Sequence, residues 1–425
     1  MTRKKVISLA TVLTAVFGWT ALQNIGRDRA QVAIAQEVKK AAERQPIILD
    51  TAPVRILRDT FPTLNGIAVD EERGEVFIGN DNKGMGASIL AYRVATPTTD
   101  RITEPLRRIA GPQTMLGKVC GLGISPEHRE LYFVNNDEDN FGAFPLDANG
   151  NVAPAREMVV PHGAWGVFLE PRFDELFITV EHVNQIAVYP RTAVGEPDPL
   201  RTIQGPRTEL ADPHGIYVDA RTNEIYVTNH GHWRRTERGE GYTLFGVGKL
   251  SRQRGNQTSN PGAPEPLKPS TGKFLAPSIT VYSRTASGDV SPVRRIQGAQ
   301  TRMNAPMGVF LDKASNQLVV ANAGDDSLLF FDRNASGDVA PVRILQGPAT
   351  EMNSPHGVSI DEKRNELWVT NWEAHAATVY PRTAKGNVAP LRVIRAAPKG
   401  TPATGLGNVG ALAYDPKRQE ILAPN

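Results

Sequence analysis

A single cysteine, Cys120, stands in 425 residues, which excludes an intrachain disulfide framework and any Cys-x-x-Cys metal or redox pair. Aromatic residues are sparse at 7%, and 48 basic residues face 45 acidic ones for a formal net charge of +3. No field of one sign is left to hold nucleic acid, which is therefore not an expected partner. No Gly-x-Ser-x-Gly elbow, P-loop or dinucleotide fingerprint follows a strand in the right context, so nucleotide chemistry has no support. No His-x-x-x-His spacing occurs either, and only one apolar run is long: the 17 apolar or small residues from Val6 to Leu22.

That run follows the basic segment Arg3, Lys4, Lys5, the order an export signal needs to orient in a translocon. Residues 1–35 carry a net +4 and the rest of the chain a net −1, so the basic character belongs to this leader. Ala33-Ile34-Ala35 offers a small-x-small cleavage site, while 17 residues is the lower limit for spanning a bilayer. A cleaved signal peptide and an uncleaved membrane anchor both stand as expectations. Either places the chain in a periplasm or outside the cell, anchored in the inner membrane in the second case. Residues 36–45 read as a linker, and 46–425 as the folded body.

What the chain has in quantity is glycine (38) and proline (32), as many short strands and turns require. Two signatures recur. Asp70, Ser125, Glu170, Asp219, Asp312, Asp361 and Asp415 each open a polar turn, followed five residues later by Glu75, Glu130, Glu175, Glu224, Gln317, Glu366 and Glu420. Pro-x-Arg-x-(Ile/Leu/Met) also occurs seven times, at Arg55, Arg107, Arg156, Arg201, Arg294, Arg343 and Arg392. Seven copies of a four-strand unit predict an all-β, seven-bladed β-propeller. Residues 47–59 match the last two strands of a unit and residues 411–425 the first two, so the ring is expected to close by pairing these half-blades. The repeated Arg reads as a solvated charge on an edge strand that discourages strand addition. One unit, blade four, carries an insertion at 230–277 whose residues 233–276 hold eight basic residues against three acidic. Insertions of this length are functional or unstructured.

The strands YVTN (226–229) and WVTN (368–371), after HGIYVD and HGVSID, resemble YVTN/NHL-type bacterial β-propeller repeats over about residues 46–425. The resemblance implies the fold and not a reaction, since similar repeats serve sugar lactonases, lyases and surface proteins. Lactonases of this kind place carboxylates where second strands end; here only Glu181 does so, which counts against that activity.

Propeller connectivity puts the start of each first strand and the end of each second strand on one face of the channel. Seven of the eight histidines fall there: His162, His214, His230, His232, His182, His356 and His375; His128 falls on the other. In one reading an exported monomer binds a protein partner or small ligand on this face through Asn229, His232, Trp233, Arg234, Arg235, Asn371 and His162. In the other, His214, His230 and His356 hold a divalent metal such as Zn, and the protein is a metal-dependent lyase or hydrolase, with Arg234 or Arg235 orienting an anionic substrate. The latter set resembles the three-histidine site of amidating-type peptide lyases. A bland reading competes with both: Pro-His-Gly is one version of a Pro-x-Gly lead into the strand, its ring capping backbone groups. The second-strand asparagines Asn80, Asn136, Asn229, Asn322 and Asn371 read as backbone-satisfying groups where pairing stops. The acidic run 135–140 reads as a solvated loop rather than a calcium site, since Phe141 stands where an oxygen ligand is required.

Overall fold

The computed structural model describes residues 61–80, 86–234 and 273–401, with the short strands Ala413–Asp415 and Glu420–Leu422. The leader, the linker, residues 47–59 and insertion residues 235–272, Arg235 among them, lie outside the described residues. Among the described residues no helix is long and apolar enough to cross a membrane.

Six four-stranded antiparallel sheets follow one another, at 64–110, 119–159, 164–204, 213–296, 306–346 and 355–395. In each, the strands pair in chain order, with the recurring Asp/Glu turn joining the first strand to the second, as in Asp219↔Glu224 and Asp361↔Glu366. Alternation puts every second side chain against the neighbouring blade, and six apolar clusters result, one per joint. The joint of blades two and three packs Tyr132, Phe141 and Met158 on Leu176, Ile178 and Tyr189. The joint of blades six and one packs Trp368, Val379 and Ile394 on Leu64, Val76, Ile78 and Tyr92.

That last cluster overturns the seven-bladed expectation: the protein is a six-bladed propeller. Around the axis each first strand carries a glycine whose added Cβ would come closer than 3.0 Å to a backbone carbonyl of the next blade. Gly66 meets Cys120, Gly121 meets Trp165, Gly166 meets His214, Gly215 meets Met307, Gly308 meets His356, and Gly357 meets Asn65. The sixth contact returns to the first blade, so the circle is complete. Thr370 Oγ1 also donates to the Asn65 carbonyl. Farther out the amide of Thr103 donates to the Arg395 carbonyl at 2.8 Å. Among the described residues no half-blade pair stands between blades six and one. The seventh Asp/Glu copy does fold, as the two-stranded hairpin Asp415↔Glu420, but repeat count and blade count differ by one.

The two signatures meet in space. Arg107 pairs with Glu75 at 2.7 Å, Arg201 with Glu175 at 2.7 Å, Arg294 with Glu224 at 2.6 Å, Arg392 with Glu366 at 2.5 Å, and Arg156 with Glu130. These guanidinium groups are therefore not solvated edge charges. Each clamps the fourth strand of a blade to its second in charge-assisted hydrogen bonds. In blade five the partner is neutral: Arg343 Nε donates to Gln317 Oε1 at 3.0 Å, and burial pulls this guanidinium down to about 10. A second arginine ends the third strand of several blades and reaches back to the preceding one, as in Arg191 to Glu130, Arg284 to Glu175, Arg333 to Asp219, and Arg382 to Asp312.

Candidate functional site

At the opposite end of the blades every first strand carries an irregularity in its pairing with the second, between Pro213 and Ile216 in blade four and between Pro355 and Val358 in blade six. The bulge re-aims the residue before the axial glycine. In blades one to six that residue is Asn65, Cys120, Trp165, His214, Met307 and His356. Blades three and six stand opposite each other in a ring of six, yet the rings of Trp165 and His356 are 6.4 Å apart, so Trp165 crosses the axis. Its indole also contacts His214 edge-on at 4.3 Å, with Lys118 Nζ 5.3 Å from its centroid. Trp372 extends the row beyond His356 at 5.0 Å.

The row ends in a cluster of titratable groups on blades three and four. One ligand atom each from Asp212, His214 and His230 lies within 4.8 Å of the other two. His230 Nδ1 is 3.4 Å from Asp212 Oδ2. Buried His214 has an acceptor on each ring nitrogen: Nδ1 is 2.9 Å from the Asp212 carbonyl, and Nε2 is 3.3 Å from Glu181 Oε2. Burial pushes this imidazole below its ordinary value. Burial works the other way on Glu181, but the hydrogen bond from His182 and the charges of His214 and His182 hold its carboxyl below the usual range. A neutral ring carries one proton, so one nitrogen is left facing an oxygen acceptor without a hydrogen between them. A second proton or a metal cation relieves that contact.

Glu181 is shared. Its other oxygen takes His182 Nε2 at 2.9 Å and Asn136 Nδ2 at 2.9 Å. The Glu181 bond raises the His182 imidazole above its ordinary value. The His182 ring lies 4.8 Å from that of His162, tilted by 44°, and His162 Nδ1 meets Asp139 Oδ1 at 2.7 Å.

Of the three histidines expected to hold a metal, the structure brings His214 and His230 together and adds Asp212. His356 stands across Trp165, outside that cluster; its Nδ1 donates to the Ser354 carbonyl at 2.9 Å, and burial pushes the ring down to about 3. His375 likewise donates to the Pro62 carbonyl at 2.8 Å. Backbone capping thus accounts for part of the histidine face. Asn229 and Asn371 act as spacers where the second strands end. Asn229 Oδ1 accepts the Ala211 amide and its Nδ2 donates to Thr280 Oγ1; Asn371 does the same with Asn353 and Thr378. In blade two this position belongs to Asn135, one residue before the expected Asn136, whose amide serves Glu181 instead. His232, Trp233 and Arg234 form a ribbon strand paired with Leu275, Phe274 and Lys273, at the base of the insertion.

Asp212 was the residue missed. It takes a left-handed φ of 59°, as Ala305 and Ser354 do at the matching places in blades five and six. The Asp-x-His order in blade four, against Ser-x-His and Ala-x-Met, was the available signal.

The donor set fits a borderline divalent ion: two imidazoles and a carboxylate. Metal–ligand bonds of about 2.0–2.1 Å need tetrahedral ligand atoms roughly 3.3–3.5 Å apart. The Asp212–His230 edge of 3.4 Å already meets this, whereas His214 Nδ1 stands 4.0 Å from Asp212 Oδ1 and must close in.

No known protein family matches the sequence, and no curated protein does. Among solved structures the chain is similar to a functionally unknown protein from Desulfotomaculum acetoxidans DSM 771, at 11% identity over 80% of this chain and 88% of that one, TM-score 0.48. It is similar to Kuenenia stuttgartiensis hydrazine synthase at 13% identity, over 80% and 100% of the two chains, TM-score 0.49. A third is the periplasmic gluconolactonase PpgL of Pseudomonas aeruginosa, at 13% identity, 83% and 90%, TM-score 0.47. At that distance they carry no argument about activity, and the chain's own strand order and contacts define it as an all-β propeller.

Proposed function

We propose that this propeller binds a small ligand at the mouth of its channel, with a divalent transition metal held by Asp212, His214 and His230 as part of the site. The observation that carries the reading is buried His214, set between the Asp212 carbonyl at 2.9 Å and the Glu181 carboxylate at 3.3 Å. Bound there, such an ion supplies a Lewis acid with open positions. Glu181 then orients the His214 ring, in the manner of carboxylates behind metal-ligating imidazoles. The leader, Arg3 to Leu22, supports export of the protein.

Elemental analysis of untagged protein after incubation with zinc and desalting tests this reading. One equivalent is expected in the wild type and in His356→Ala, and none in the Asp212→Asn/His230→Ala variant. A metal-free wild type overturns the site.

A hydrolase or lyase reading has its own support. His182 is held by the partly buried Glu181 carboxylate beside the Asp212–His214–His230 cluster, an arrangement suited to moving protons. On that reading His182→Gln abolishes turnover of a screened substrate while leaving the metal content unchanged; equal turnover in the two proteins removes it.

A further inference from the structure

One turn of the repeat carries a chemical group that neither the fold nor the channel mouth uses. After the third strands of blades three, four and six the chain reads Arg191-Thr192-Ala193, Arg284-Thr285-Ala286 and Arg382-Thr383-Ala384, each with a glycine two residues on. Blade five has Arg333-Asn334-Ala335-Ser336-Gly337, with asparagine in place of threonine and serine two places after it. Asn-Ala-Ser is an acceptor triplet for N-linked glycosylation, a modification of surface loops in exported chains. The sequence holds one other such triplet, Asn256-Gln257-Thr258, which lies outside the described residues.

The local structure presents the blade-five triplet. Arg333 is buried, its Nη1 2.9 Å from Asp219 Oδ2 and its Nη2 donating to Tyr226 Oη at 2.6 Å, both on blade four. With that side chain turned inward, Asp332 and Asn334 on either side of it are exposed. Asp332 Oδ1 accepts the Asn334 backbone amide at 2.8 Å, and the Asp332 carbonyl accepts the Ala335 amide at 3.0 Å. The turn is thus held without the Asn334 carboxamide, which makes no hydrogen bond among the described residues. Asn151 and Asn387, one residue past the glycine in blades two and six, behave differently: each accepts an amide from the segment leaving the preceding blade. Ser336 is exposed as well, its hydroxyl 3.4 Å from the Arg295 carbonyl. The third strand of blade five ends at Asp332 opposite Gln317, so this turn lies at the Asp/Glu end of the blades, away from the channel mouth.

We propose that Asn334 is a site of N-linked glycosylation, the donor being an oligosaccharide carried on a polyprenyl pyrophosphate. In the transfer Asn334 Nδ2 bonds to the anomeric carbon of the first sugar, and the bond from that carbon to the pyrophosphate oxygen breaks. The lipid pyrophosphate leaves with the electron pair and the amide gives up one proton, so nothing is oxidised or reduced. The Ser336 hydroxyl completes the triplet that a transferase reads, and exposed Asp332 adds an anionic handle two places before the acceptor. The inference is independent of the metal site, and of the function proposed above it needs only export of the chain.

Purified full-length protein, incubated with a bacterial oligosaccharyltransferase and its lipid-linked oligosaccharide, tests the site by intact mass and peptide mapping without depending on export. The protein is added folded in one reaction and diluted from urea in another, beside a synthetic peptide spanning residues 329–339. The expected result, in either preparation, is a gain of one oligosaccharide mass mapped to Asn334, absent in Asn334→Gln and Ser336→Ala and kept in Asn256→Gln. A gain that persists in Asn334→Gln, or one that disappears in Asn256→Gln, would overturn the proposal. No gain in either preparation would overturn it too: a modified peptide would then show that the fold withholds the asparagine, and an unmodified one that the triplet is not read.

Discussion

The two ends of the blades obey different rules. At the end where the Asp/Glu turns lie, the blades nearly repeat one another: five Arg–Glu clamps and one Arg–Gln clamp tie fourth strands to second strands. At the channel mouth the backbone repeats just as faithfully, with the same bulge and the same axial glycine, but the residue before the glycine takes five identities in six blades, and only His recurs. Sameness at one end builds the ring, and difference at the other equips it. A substitution should therefore cost stability at the turn end and in the blade joints, and binding at the mouth.

The largest expected break is in a joint. Trp368→Ala removes a fully buried indole from the closure between blades six and one and should cost about 3–5 kcal/mol in urea unfolding. A loss under about 1 kcal/mol would mean that blade six does not close the ring on blade one. Next comes a clamp. Glu130 accepts from Arg156, Arg191 and Tyr132, so Glu130→Gln should cost about 1–3 kcal/mol, while His356→Ala at the mouth keeps zinc binding intact.

The clamps also predict acid sensitivity. Burial works against the charge of Glu130 and Glu224, yet Arg156 and Tyr132, and Arg294 and Tyr226, hold these carboxyls down to about 2 from an ordinary 4.5. Because the folded values are depressed, the stability they contribute is fully present above about pH 4.5 and is lost as pH falls toward 2. Unfolding midpoints measured across that range should drop steeply in the wild type and less steeply in a Glu130→Gln/Glu224→Gln variant. The smallest effect is a gain. Gln317→Glu gives Arg343 the carboxylate that the other clamps have and should stabilise blade five by up to about 1 kcal/mol. Destabilisation there would show that the neutral partner is needed.

Sequence periodicity made the blades legible because each one is local: the Asp219 turn and the Glu224 strand that follows are five residues apart. Closure was not legible, since it depends on Gly357 meeting Asn65 across nearly 300 residues, and a count of motifs treats the Asp415 hairpin as equal to a blade. Polarity alone made the repeated arginines look solvated; their acidic partners are 26 to 70 residues away in sequence and two strands away in the sheet. The histidine face was readable from connectivity, and so was the pairing of His214 with His230. His356 was grouped with them because it fills the same repeat position, but equal positions on blades four and six do not converge when Trp165 stands between them. Asp212 escaped because it precedes the strand and belongs to neither signature.

The central claim is that the mouth, where the blades differ, carries a metal-binding function built on Asp212, His214 and His230. Cobalt titration followed by visible absorption tests it most directly, because the d–d bands report both binding and coordination. Saturable bands at one equivalent, kept in His356→Ala and lost in Asp212→Asn with the fold intact, are the expected result. Bands that vanish in His356→Ala and survive in Asp212→Asn would contradict the account, as would no bands at all.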